Sequence, residues 1–178
     1  LLTASDLQTA QQLTTEIEAF NQERRATEKE VTEEALTLLS EQEASAATVV
    51  RAPHWHKGVI GIVASRLQAT YYRPTIVFTK SGDHWAASAR SVRGYDIHAA
   101  IEACEEHLIQ FGGHAYAAGL SLPKENLAPF KMRFNAYVEQ HITKDQLTPE
   151  IEIDETIDFR DIFGSQIGGI PKFYRVLK

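Results

Sequence analysis

The sequence predicts an α/β fold: a small mixed sheet with flanking helices, preceded by one long connector helix. Three observations carry this. Neither Pro nor Gly occurs before Pro53, and apolar residues recur there at helical spacing, which sets a long helix apart from the rest of the chain. From Ala47 onward, β-branched runs alternate with segments of helical periodicity, the pattern of an α/β unit. Ser81-Gly82-Asp83 separates two strand-like segments, so one pair of neighbours is antiparallel and the sheet is mixed.

The long helix is expected over residues 5–42, with Ser5 and Asp6 as N-cap types. Its apolar residues are Leu7, Ala10, Leu13, Ile17 and Phe20, then Val31, Ala35, Leu38 and Leu39, while Asn21 to Lys29 is polar nearly all round. Such a helix packs at both ends and is solvated between. At 1.5 Å per residue it would span roughly 57 Å, a length suited to a connector between domains. Arg24, Thr27 and Glu34 break the heptad of a coiled coil.

Ala47 to Arg51 follows as a strand, and Gly58 to Tyr71 as a helix with Val59, Ile62, Val63 and Leu67 at helical spacing. Pro74 to Thr79 reads as a buried strand and His84 to Ser91 as its hairpin partner. Asp96 to Gln110 reads as one helix capped by Asp96, Ala118 to Leu122 as a short strand, and Leu127 to His141 as a helix presenting Phe130, Phe134, Tyr137 and Val138. Residues 142–149 are a linker; a new strand opens with Ile151, Ile153 and Glu155, and a GSQIGGIP loop follows. A tail of roughly thirty residues buries no core alone, so it docks on the main unit or begins another domain. The expected divisions are 1–43, 44–143 and 144–178.

The chain carries a formal −6, yet residues 51–93 hold seven Lys/Arg (Arg51, Lys57, Arg66, Arg73, Lys80, Arg90 and Arg93) against one acid, Asp83. An acidic protein with its cations in one block presents them to an anion, most commonly a phosphate backbone. No apolar run is long enough for a membrane span. The single cysteine, Cys104, excludes an intramolecular disulfide and fits a reducing cytosol; its setting is that of a buried small hydrophobe. With Met132 as its only methionine and Leu1 as its first residue, the chain is expected to be a piece of a longer protein.

Three segments could carry chemistry. In HWHKGVIGIVASR (His54 to Arg66) a helix opens near Gly58, where free backbone N–H groups beside Lys57 can hold an anion. His54 and His56 alone are too few to bind a metal. In SARSVR (Ser88 to Arg93), Ser88 and Arg90 project to one face of an extended strand, and a hydroxyl beside a planar guanidinium makes a phosphate clamp. In GGHAYAAG, Gly112 and Gly113 either end a helix before a packed His114 or let a ligand approach the backbone closely.

HWHKGVIGIVASRL, SARS, YDIHAAIEAC and FGGHAYAAGLSL, in this order and spacing, resemble the RecJ family, single-stranded-DNA-specific 5′→3′ exonucleases of the DHH phosphoesterase superfamily. The likeness covers most of the chain: the connector helix, the DHH-associated substrate-binding domain over about residues 47–141, and the run into an oligonucleotide-binding fold. It implies two metal ions, Mn²⁺ or Mg²⁺, held by Asp and His residues of a catalytic domain, activating water for attack on a phosphodiester. It further implies phosphate contacts from Gly112, Gly113 and His114, 5′-phosphate and backbone contacts from Ser88 and Arg90, and a further contact from Arg66. Single-stranded DNA is the implied substrate, DNA repair and recombination the implied setting, and a single-strand-binding protein or a helicase the further candidate partners. The cytoplasm is the expected location. One departure is large: no Asp-His-His triplet and no Asp-x-Asp occurs, so this chain is expected to grip a strand without holding the metals or cutting alone.

The resemblance leaves two other settings for such a domain, a phosphodiesterase of oligoribonucleotides or cyclic dinucleotides and a non-catalytic RNA-binding module as in alanyl-tRNA synthetases. A purely structural domain would leave the charge segregation unexplained. Bases could also stack on Trp55, Trp85 or Tyr116 if these are exposed.

Overall fold

The computed structural model describes residues 3–42 and 45–151, together with 153 and 156. Leu1–Thr148 forms one compact unit and Pro149–Lys178 a second. The strand expected from Ile151 and the glycine-rich loop expected after Phe159 fall largely outside the described residues.

Helix α1 (Leu7–Ser40) opens where Asp6 accepts the Thr9 N–H. Strand β1 (Thr48–Arg51), helix α2 (Ile60–Tyr71) and strand β2 (Thr75–Ser81) form a parallel crossover unit. Strand β3 (His84–Arg90) returns antiparallel through Gly82, whose φ of +61° suits a residue without Cβ. Helix α3 (Ile97–Glu102), strands β4 (Gln110–His114) and β5 (Ala117–Pro123) and helix α4 (Leu127–His141) complete the unit. The sheet order is β1-β2-β3-β5-β4, with only the β1–β2 pair parallel. The expected mixed sheet with flanking helices is therefore the fold.

Strand periodicity sends alternate residues to two cores. Val49, Ile76, Phe78, Ala87, Ala89, Ala118 and Leu120 pack with α3 and α4, around Phe130 and Phe134. Those two rings stack at 5.7 Å between centroids, and Phe78 meets Phe130 edge-on. Phe130→Ala is expected to lower stability by about 3–5 kcal/mol, measurable by urea titration. On the opposite face, Val50 and Val77 pack under Val63, Ala64 and Leu67 of α2, with Val31 and Ala35 of α1 above.

Two elements differ from expectation. Helix α1 buries Glu28, Val31 and Ala35 but leaves Leu7, Ile17 and Phe20 exposed; it packs at its C-terminal half, and the polar middle contributes a buried carboxylate. The expected helix from Asp96 to Gln110 stops at Glu102. A 3-10 turn at Glu105–His107 follows, then strand β4. Asp96 does cap α3, accepting the Ala99 N–H at 3.1 Å. Cys104 is fully buried and hydrogen-bonds the Ala100 carbonyl, and burial pushes its thiol up to about 11. The segment after α4 is fastened by Gln146, which donates to the Gly94 carbonyl. Among the described residues no helix is long and apolar enough to cross a membrane.

Candidate nucleic-acid interface

The register of β3, β5 and β4 builds the site. Ser88 pairs with Gly119, which pairs on its other side with Gly112; two residues along, Arg90 pairs with Ala117, which pairs with His114. Paired residues share a face, and so do residues two apart. Ser88, Arg90, Ala117, Gly119, Gly112 and His114 therefore form two adjacent rows on one side of the sheet. Helix α2 covers this side over β1, β2 and part of β3; Gly112, Gly119 and His114 are exposed, and Ser88, Arg90 and Ala117 half-buried. The result is a strip about 10 Å wide between Arg90 and His114, at two strand spacings, floored by residues with almost no side chain.

Nothing in the packing requires glycine at the floor. A Cβ on Gly112 would meet no atom within 4 Å, and one on Gly119 only the Ala87 carbonyl oxygen, at 3.9 Å. Neither has positive φ. Their bareness leaves the backbone open to close approach by a ligand. Gly113 is different. It points to the other face, has φ +149°, and a Cβ there would stand 2.3 Å from the Ala117 carbonyl oxygen; the hairpin itself requires this glycine. The pair does not cap a helix, as one expectation had it, but lies in edge strand β4.

His114 closes the β4–β5 hairpin. Its Nδ1 accepts the Tyr116 N–H at 3.3 Å, so in the neutral ring Nε2 carries the proton and is a donor available to an anion. The hairpin is tied down on both sides: the Ser91 N–H donates to the Tyr116 carbonyl at 2.9 Å and the Ile97 N–H to the Ala115 carbonyl at 3.1 Å.

Arg90 donates from Nε to Ser65 Oγ at 3.1 Å and from Nη1 to the Ala89 carbonyl at 2.8 Å. Among the described residues no carboxylate pairs with it. The first turn of α2 stands beside it, at Gly61. In that turn the Ile62 and Val63 N–H groups donate to the Val59 carbonyl, at 2.9 and 3.0 Å, and the turn forms the positive end of α2. The anion site expected nearer Gly58 is largely consumed within the loop: the Gly58 N–H donates to His56 Nδ1 at 3.0 Å and the Val59 N–H to the His56 carbonyl at 3.1 Å.

The other expected residues lie apart. Arg66 is ion-paired to the buried carboxylate of Glu28 on α1, which also faces Arg24 at 3.6 Å. Glu34 of α1 accepts the Trp55 indole N–H at 2.8 Å and bonds His54 at 2.9 Å; the indole donation, then His54, holds its carboxyl below the usual range. His54 thus ties the loop to α1. Trp55 and Trp85 are core residues at 3% and 7% exposure, which removes them as stacking platforms, whereas Tyr116 is 56% exposed. Nor is the basic block one patch: Arg51 lies over the Trp85 ring, while Arg73 lies over Tyr71 and donates to the Ser45 carbonyl. Sequence reasoning missed Gly119, Ala117, Gly61 and Ser65. Counting strand period two back from a turn at Ala115-Tyr116 would have set Gly119 opposite Gly112.

Comparison with known proteins agrees with this fold. The DHHA1 domain family matches residues 44–140. The single-stranded-DNA-specific exonuclease RecJ of Bacillus subtilis is 34% identical over 165 residues, which cover 91% of this chain and 21% of that protein. Crystal structures of RecJ from Thermus thermophilus, in complex with Mg²⁺ and with Mn²⁺, superpose with TM-scores of 0.71 and 0.69 at 28% and 29% identity. Each covers 78% of this chain, and 22% and 20% of the respective RecJ chain. The chain thus spans 20–28% of the length of the curated relatives it matches.

Proposed function

The chain belongs to the DHHA1 domain family, and on that premise we propose that it is the strand-gripping portion of a RecJ-type single-stranded-DNA exonuclease. The observation that carries this reading is the bare strip. Gly112 and Gly119 have no structural need to be glycine, and they lie in the row next to Arg90, Ala117 and His114, beside a guanidinium that no carboxylate pairs among the described residues and a histidine whose Nδ1 is taken by the Tyr116 N–H. A phosphodiester backbone fits there: it needs close approach, positive charge and N–H donors, and no base-specific contact. Arg90 and Ser88 take the 5′-terminal phosphate, and His114 with the Gly112 backbone takes the phosphate at or next to the scissile bond. Gly113 shapes the hairpin that presents them. Arg66 adds a weaker contact while paired to Glu28. Tyr116 is the aromatic surface on which a base can stack.

In this reading residues 1–43 connect to a catalytic domain, 44–143 grip the strand, and 144–178 lead into an oligonucleotide-binding fold. The whole protein digests DNA 5′→3′ in the cytosol, in repair and recombination. A Mn²⁺ or Mg²⁺ pair would supply the activated water. The residues at hand do not fit it: no group of three or more His, Cys, Asp or Glu is gathered among the described residues, and the sequence has no Asp-His-His triplet. No bond-breaking step is therefore assigned to this chain, whose proposed part is to hold the strand.

Fluorescence anisotropy tests the reading, using a 5′-phosphorylated oligodeoxynucleotide, its RNA counterpart and a duplex. Tightest binding to the single DNA strand is expected, with steep weakening between low and high salt and loss in Arg90→Ala/His114→Ala. Tighter binding of RNA would instead mark an RNA-binding module.

A further inference from the structure

We infer that Gly61 and Ser65 of α2 are positioning residues that aim the Arg90 guanidinium at the glycine strip. A free arginine side chain samples many rotamers, and fixing it costs conformational entropy. Here two hydrogen bonds have already fixed it. Nε donates to Ser65 Oγ at 3.1 Å, Nη1 donates to the Ala89 carbonyl at 2.8 Å, and Nη2 lies 3.1 Å from where a Cβ on residue 61 would stand. Ser65 is held in turn, its hydroxyl donating to the Gly61 carbonyl at 3.1 Å. The two residues are four apart, so they stack on one face of α2, the face turned to β3. Both partners of the guanidinium are neutral acceptors. Among the described residues no carboxylate compensates its charge, and its remaining N–H groups stay available to an anion.

Gly61 has no helical reason to be glycine. Its φ is not positive, and alanine favours a helix more. The nearest atoms an added Cβ would meet are Arg90 Nη2 at 3.1 Å, Ser88 Oγ at 3.4 Å and Ser88 Cβ at 3.8 Å. The closest is the tip of a flexible side chain, which can yield without moving the backbone. A methyl group there would displace the guanidinium rather than break the helix. Glycine at this position serves Arg90 and Ser88.

This inference rests on the strand-gripping reading for its binding consequence, not for its geometry. Its test takes Gly61→Ala, Ser65→Ala and Ser65→Thr in the 178-residue chain through three measurements. These are melting temperature, affinity for a 5′-phosphorylated oligodeoxynucleotide, and solvent exchange of the Arg90 Nε–H resonance. Gly61→Ala is expected to melt at the same or a higher temperature yet bind about tenfold more weakly. Ser65→Ala is expected to bind about three- to fivefold more weakly, with faster Nε–H exchange, and Ser65→Thr to restore both. An Nε–H signal unmoved in Gly61→Ala and Ser65→Ala overturns the inference whether or not the parent chain binds DNA. So does wild-type affinity in both variants of a chain that binds. A parent chain that binds no strand, yet loses Nε–H protection in Ser65→Ala, supports the positioning and overturns the strand-gripping reading instead.

Discussion

Arg90→Ala is expected to weaken binding of a 5′-phosphorylated single strand by about tenfold or more, and of the matching 5′-hydroxyl strand by clearly less. A charge-assisted contact to phosphate is worth about 1.5–3 kcal/mol, and about 1.4 kcal/mol is tenfold in affinity. The guanidinium reaches the strip already oriented by Ser65 and Ala89, so little of that energy goes into ordering it. Little stability should be lost, because Arg90 is half-buried and its partners Ser65 and Ala89 are neutral acceptors. Paired anisotropy titrations check this. Equal losses for the two strands would remove Arg90 from the 5′-phosphate and leave it a general backbone contact.

The adjacent glycines Gly112 and Gly113 should fail in opposite ways. Gly113→Ala is expected to cost about 2–4 kcal/mol of stability: it forces a side chain into a positive-φ conformation, and its Cβ would collide with the Ala117 carbonyl oxygen. Gly112→Val should leave stability within about 0.5 kcal/mol, since the added atoms enter open space and valine suits a strand. Its isopropyl group would instead stand on the floor of the strip and lower strand affinity about tenfold. Denaturant melts beside binding curves separate the two. A stable, binding-competent Gly113→Ala would contradict the hairpin geometry; a Gly112→Val that binds normally would contradict the strip.

The fold was legible wherever side chains announce a period. The β1–α2–β2 unit, the hairpin at Gly82 and the α4 face of Phe130, Phe134 and Val138 all follow from apolar spacing and turn residues. Strand β4 was not legible, because Gln-Phe-Gly-Gly-His has no alternating apolar signal. Meanwhile the helical spacing of Ile97, Ala100, Ile101 and Cys104 runs on to Leu108 and masks the break after Glu102. Misreading that one strand hid the floor of the proposed site, since Gly119 joins it only once Gly112 pairs with it. The charge block misled in a related way. A parallel crossover carries successive residues to opposite ends of a sheet, so a cluster in sequence need not be a cluster in space. Of the seven cations, Arg90 reaches the strip, while Arg66 is engaged with Glu28 and Arg51 with the Trp85 ring. The pairing of Ser88 with Arg90 was legible because strand period two needs no tertiary information. That Arg90 is aimed by α2 was not, because it depends on how closely Gly61 lets the helix approach β3.

The most direct test of the strip as the strand-binding surface is backbone and arginine side-chain chemical-shift mapping of this chain by NMR, titrated with a 5′-phosphorylated oligodeoxynucleotide at low salt. The predicted result is a contiguous set of shifts on Gly61, Ser88, Arg90, Gly112, His114, Ala117 and Gly119, abolished by Arg90→Ala. Shifts confined to Arg51, Arg73 and Lys131, away from β4 and β5, would contradict it and place the strand on another surface.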